Sequence, residues 1–166
     1  MNLARLLDPC FRPGAVPFRR VLLPDAAPGP AVAERCAGRA VLRVDPAALR
    51  SLAFEAFRDM NFLFRTRHLE QWAALLADPA ASANDRYVAA ALLSNAAISA
   101  EMVYPSCQDT GTAIVFGLKG EGVRTGADDH AALCEGIGRA YAECNLRFSQ
   151  VAPVTMLDDA DTRTNL

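Results

Sequence analysis

The chain has a single lysine, Lys119; the other sixteen of its 17 basic residues are arginine. That bias follows codon usage as readily as mechanism and assigns no function. No CxxC pair occurs among the five cysteines, Cys10, Cys36, Cys107, Cys134 and Cys144. An odd number without a tight pair is a poor disulfide framework, and no self-contained zinc or cluster motif is present. A reduced, cytoplasmic compartment is the expectation. No apolar run reaches the roughly eighteen residues of a spanning helix, so no membrane partner is expected. Met1–Cys10 lacks the charged and long apolar regions of a secretory leader. Basic excess is missing too: the net charge is -2 and the pI about 5.7, which argues against a general nucleic-acid binder.

What is present is apolar and rich in small residues. Hydrophobic residues make up 52% and charged residues 22% of 166, a globular composition with room for one domain. Alanine contributes 32 residues, which favours closely packed helices. Six prolines punctuate residues 1–30, so residues 1–40 read as a Pro-rich segment with at most a short strand at Val21–Leu23. Residues 41–166 form the body.

Ala40–Val44 alternates as a short strand. Asp45-Pro46 reads as an N-cap and first helical residue, followed by an apolar face of Leu49, Leu52, Ala53, Ala56 and Phe57. Thr66 is placed as the cap of a second helix ending at Asp78-Pro79. Ser82 and Asp85 fit a capping box before a long helix over about Asp85–Val103, stopped by Tyr104-Pro105. That helix is apolar on most sides, which predicts a central position. TAIVFGL, Thr112–Leu118, reads as a buried strand, with a possible hairpin into Val123-Arg124. Asp128 or Asp129 caps a last helix. The expected class is α+β, mostly helical with a small β-sheet. The expected core is Phe57, Phe62, Trp72, Leu76, Leu92, Leu93, Ile114 and Val115.

Three segments depart from core patterning. In PSCQDTGTA, Pro105–Ala113, Cys107 sits among polar residues, with Gln108 and Asp109 following. A structural thiol normally lies in an apolar run, so this company is informative. A tight turn with an incidental cysteine and a reactive or metal-binding thiol both remain open. In NLRFSQ, Asn145–Gln150, Arg147 either caps helix carbonyls or grips a carboxylate through two hydrogen bonds. Thr162–Leu166 is polar and has neither a helix cap nor a terminal strand. Cys134 and Cys144 fall on the last helix and read as ordinary packed or half-exposed thiols. His68 and His130 have no second ligand at metal spacing.

These segments carry a resemblance. YPSCQDTGTAIVFGLKGEGVRTG, AYAECNLRFSQVAPVTM and TRTNL are similar to the N-terminal part of the class I, iron–sulfur fumarate hydratases of the single-polypeptide type. Weaker similarity extends back to about Val41. The resemblance implies a hydro-lyase converting fumarate and malate with a [4Fe–4S] cluster as Lewis acid, in a cytoplasmic homodimer. By motif, Cys107 is a cluster ligand, Gln108 and Asp109 face the substrate with Asp109 catalytic, and Arg147 binds a carboxylate of the dicarboxylate. The pattern departs at Arg163, where the family usually has glycine in TGTNLPAQ. The other two cluster cysteines and further catalytic residues belong to a C-terminal remainder. The chain alone is therefore expected to be inactive. The alternatives are tartrate dehydratase or a related hydroxy-acid hydro-lyase, and a non-catalytic helical interaction domain of the same fold. A further expectation is an exposed apolar patch where the remainder docks.

Overall fold

The computed structural model describes residues 29–166. The Val21–Leu23 strand and Cys10 lie outside them. Strand β1, Ala31–Cys36, and strand β2, Arg39–Val44, form an antiparallel hairpin with Ala31 opposite Val44 and Cys36 opposite Arg39. Its two-residue turn, Ala37-Gly38, has φ of 49° and 80°. Positive φ at both positions is the geometry whose twist matches the flanking strands, and glycine takes it without a steric cost. The hairpin straddles residue 40. Strand β3, Val123–Arg124, then adds parallel to β2 with Leu42 opposite Val123, so it does not pair back onto Thr112–Leu118.

Helix α1, Pro46–Phe62, starts as the sequence predicts: Asp45 Oδ1 accepts from Ala47 N–H and Pro46 occupies the first turn. Helix α2, Thr66–Ala77, differs by one residue. Arg65, extended at φ -65° and ψ 137°, is its N-cap, and Thr66 is already helical with no side-chain cap. Helix α3, Ala83–Ser99, has both halves of the capping box: Ser82 Oγ accepts from Asp85 N–H, and Asp85 Oδ2 accepts from Ser82 N–H. It ends four residues earlier than expected. Glu101 and Met102 N–H turn to carbonyls three residues back, and Met102 takes φ 62°, which breaks the helical path before Tyr104-Pro105. Helix α4, Asp129–Glu143, is capped by Asp128. A second hairpin, β4 Val151–Pro153 with β5 Asp159–Asp161, follows it. Helices take about 44% of the described residues and the sheets are small, the α+β class expected.

The core lies between α1 and α4: Ala53, Phe57, Phe62, Ile137, Ala140, Tyr141 and Leu146. The helices touch at Gly136, where a Cβ would stand 2.2 Å from the Arg50 carbonyl oxygen. Phe57 and Phe62 are core residues as expected. The other predicted members are not. Trp72 is half-buried against Phe64 and His68, Leu92 and Leu93 are half-buried, and Leu76 is 40% exposed. Helix α3 is not central: it buries only Ala89, Ala96 and Ser99 and packs on α2. Thr112–Leu118 is neither buried nor paired among the described residues, with Ile114 67% and Phe116 71% exposed. Apolar content set those expectations, but burial depends on neighbours that the described elements do not supply.

Candidate functional site

Cys107 sits just past two anchors. Ser106 N–H donates to the Asn61 carbonyl at the end of α1 (2.8 Å), and Asn95 Nδ2 of α3 donates to the Ser106 carbonyl (2.9 Å). Ser99 Oγ, buried, donates to the Phe62 carbonyl at 2.8 Å and binds α3 to the same helix end. The loop is thus fixed at its root, while Cys107, Gln108 and Asp109 themselves are exposed. Asp109 N–H points at Cys107 Sγ from 3.5 Å. Such a donor is the kind that hydrogen-bonds a metal-bound sulfur.

On the far side of the loop, Thr110 Oγ1 donates to the Arg147 carbonyl. Tyr141 of α4 donates its hydroxyl to the Gly111 carbonyl at 2.9 Å, and its ring stacks on Phe148 with centroids 5.6 Å apart. Asn145 takes φ 55° directly after α4, turning the chain so that Leu146 is buried and Arg147 faces out. Among the described residues the Arg147 guanidinium has no carboxylate partner. An exposed, unpaired guanidinium beside a polar loop is suited to a planar carboxylate.

The third segment joins the first two. Asn165 has 0% exposure. Its Oδ1 accepts from Ser149 and Gln150 N–H, both at 3.0 Å. Its Nδ2 donates to the Gly111 carbonyl at 2.8 Å and to the Arg147 carbonyl at 3.3 Å. Its own carbonyl accepts from Ala113 N–H at 2.9 Å. Cys107, Gln108, Asp109 and Arg147, the residues singled out in the sequence, therefore lie on two loops held by one buried amide. Sequence reasoning missed Asn165, Tyr141, Thr110, Asn61 and Asn95. Each acts through a backbone group 11 to 54 residues away, which no local pattern encodes.

The remaining thiols are elsewhere in the fold. Cys36 is exposed on β1, Cys134 Sγ is 3.7 Å from a ring nitrogen of His130, and Cys144 is half-buried with its thiol pushed up by burial. No group of three His, Cys, Asp or Glu side chains converges on a metal position among the described residues. The donor set thus fits one thiolate corner of a cluster site and no more. Near the base of α4, Lys119 Nζ donates to Asp129 Oδ2 at 2.5 Å and Thr125 Oγ1 donates to Asp129 Oδ1. These bonds, Lys119 first, hold the Asp129 carboxyl below the usual carboxylate range.

Arg163 has φ 52°, in the left-handed region where a Cβ costs about 1–2 kcal/mol. That geometry explains why glycine suits this position.

The family model described as fumarate hydratase (Fumerase) matches residues 50–166. The chain is 50% identical over 129 residues to the aerobic class I fumarate hydratase of Escherichia coli K12, covering 78% of this chain and 24% of that protein. It is 52% identical over 129 residues to fumarate hydratase 2 of Leishmania major, covering 78% of this chain and 23% of the relative. The mitochondrial fumarate hydratase 1 of Leishmania major is 45% identical over 126 residues, 76% of this chain and 23% of that protein. The chain spans about a quarter of the length of these relatives. The family match over residues 50–166, with three relatives at 45–52% identity, shows that the chain belongs to the class I fumarate hydratase family.

Proposed function

We propose that residues 41–166 are the N-terminal part of an iron–sulfur hydro-lyase that interconverts fumarate and L-malate. The observation that carries this reading is the Asn165 junction, which sets the Cys107 loop against the Arg147 loop. Cys107 contributes one thiolate to a [4Fe–4S] cluster, and the remainder of the enzyme contributes the other ligands. When bound, the cluster supplies Lewis acidity toward the substrate hydroxyl. The Arg147 guanidinium pairs with one carboxylate of the dicarboxylate and fixes its orientation. The Gln108 amide hydrogen-bonds the substrate, and Asp109, whose carboxylate carries no hydrogen bond among the described residues, serves in proton transfer. The remainder docks on the apolar run Ile114–Leu118, the assembled enzyme is a cytoplasmic homodimer, and this chain alone is inactive.

The test is co-expression with a complementing C-terminal chain, anaerobic reconstitution with iron and sulfide, and a fumarate hydration assay beside Cys107→Ser. Expected are a cluster and malate formation in the pair, and loss of both in the variant. A pair that binds a cluster but turns over tartrate and not malate would replace the substrate. A pair that never gains a cluster would leave the non-catalytic interaction domain.

A further inference from the structure

We infer that Asn165 is a positioning residue: its buried side chain sets the spacing between the Cys107 loop and the Arg147 loop. The inference rests on the functional reading above for its kinetic consequence, though not for its geometry.

The amide is used on both ends. One oxygen gathers two N–H groups of the Arg147 segment, Ser149 and Gln150, at 3.0 Å each. One nitrogen crosses to the Cys107 segment at Gly111 (2.8 Å) and returns to Arg147 itself (3.3 Å). A carboxylate in the same place would meet the Gly111 and Arg147 carbonyls without a proton to share. A hydrophobic side chain would take the acceptor from the Ser149 and Gln150 N–H groups and would leave the Gly111 and Arg147 carbonyls to Tyr141 and Thr110, with no bond between the two loops through this side chain. Among the uncharged planar side chains, the short amide of asparagine meets both demands at this reach.

The backbone adds a second requirement. Asn165 sits at φ 51°, a left-handed conformation that asparagine tolerates better than most residues with a Cβ. With the left-handed backbone in place, the 165 carbonyl takes the Ala113 N–H, just after the Cys107 loop. Backbone and side chain thus grip the same loop from one residue. Tyr141 and Thr110 brace the junction from α4 and from within the loop, but their hydroxyls bond only carbonyls, so neither holds the Arg147 segment through its N–H groups.

The consequence concerns two functional groups on separate loops. Cys107 and Arg147 are both exposed, so their separation is set by the loop roots and not by packing of their side chains. Loosening the junction moves the carboxylate-binding guanidinium relative to the thiolate. A misplacement near 1 Å costs about 100-fold in catalytic efficiency.

Asn165→Gly separates the roles, because glycine keeps the left-handed backbone and the bond to Ala113 while removing the amide. Asn165→Asp keeps the acceptor for Ser149 and Gln150 and removes the donor to Gly111. The first measurement is amide hydrogen exchange in the full 166-residue chain. Ser149 and Gln150 are expected to exchange at least about 5-fold faster in Asn165→Gly and near the wild-type rate in Asn165→Asp, as one hydrogen-bond acceptor is worth about 1 kcal/mol or more when lost. The second is kinetics in the complemented, cluster-loaded pair. Both variants are expected to raise the KM for malate about 10-fold or more, with a smaller change in kcat and an unaltered cluster spectrum. Wild-type KM with fast-exchanging Ser149 and Gln150 overturns the positioning role while leaving the functional reading intact. Unchanged exchange in Asn165→Gly overturns the junction itself. A wild-type pair with a cluster but no malate turnover sinks the functional reading, and the exchange result then decides the junction alone.

Discussion

Replacing Gly136 with alanine tests the contact on which the core is built. Helices α1 and α4 supply six of the seven buried residues of the main cluster, and at Gly136 their backbones come too close for a Cβ. A Cβ there would lie 2.2 Å from the Arg50 carbonyl oxygen and 2.8 Å from Ala53 Cβ. An ordinary nonbonded contact needs about 3.5 Å, so the helices must part by about 1 Å. The obstacle is backbone, and no side-chain rotation relieves it. Overpacking of this kind costs about 3 kcal/mol, while alanine returns about 1 kcal/mol of helix propensity, for a net loss near 2 kcal/mol. At about 2–4 °C per kcal/mol for a chain this long, Tm falls by about 4–8 °C. Gly138→Ala is the control on the same helix. Its Cβ would meet only Leu166 Cδ1 at 3.9 Å, an ordinary contact. Propensity alone then raises Tm by about 2–4 °C. Thermal unfolding by circular dichroism reads both. If Gly136→Ala is as stable as Gly138→Ala, the helix approach described here is wrong.

Three other substitutions reach the rest of the molecule. Arg163→Gly relieves a left-handed residue bearing a Cβ and is expected to add about 1 kcal/mol of stability in urea denaturation; a loss would mean that the Arg163 side chain holds something more valuable than its strain. The Asp129 carboxyl, held low by Lys119 and Thr125, stabilises the fold above the ordinary aspartate value of about 3.9, and that stabilisation is lost as pH falls through the lower folded value. Asp129→Asn removes it, so the wild-type advantage should be present at neutral pH and vanish in acid; a pH-independent difference would refute the linkage. Phe116→Asp alters a residue 71% exposed, so it should leave the Tm of the chain within about 1 °C yet weaken assembly with a complementing C-terminal chain more than about 10-fold, measured by titration calorimetry. Equal assembly would move the docking surface elsewhere.

Features encoded within one turn of the chain are legible from residue order. The Asp45-Pro46 start, the Ser82–Asp85 box and the Asp128 cap each depend on a side chain reaching a backbone group two or three residues away, and each is present. Thr66 fails as a cap because the extended Arg65 already begins the turn, and which of two adjacent residues takes that role depends on the incoming path of Leu63–Arg65. Burial is less legible. TAIVFGL has the composition of a buried strand, but strand preference is a fit to a pleated surface with neighbours on both sides. Among the described residues no strand pairs with it, so Ile114–Leu118 form an exposed apolar run beyond Ala113.

The site divides along the same line. Cys107, Gln108, Asp109 and Arg147 stand out because their chemistry departs from the core pattern around them, and a departure is visible one residue at a time. Asn165 does not stand out. Its neighbours in TRTNL are polar, and an asparagine among them is ordinary. Its role arises only when residues 111, 147, 149 and 150 arrive around one amide, from positions 15 to 54 residues away. That arrival depends on α4, which leads from the Cys107 loop side to Arg147 and carries Tyr141 between them. The groups proposed to meet a substrate are therefore readable in the sequence, while the groups that join their two loops become readable only in the fold.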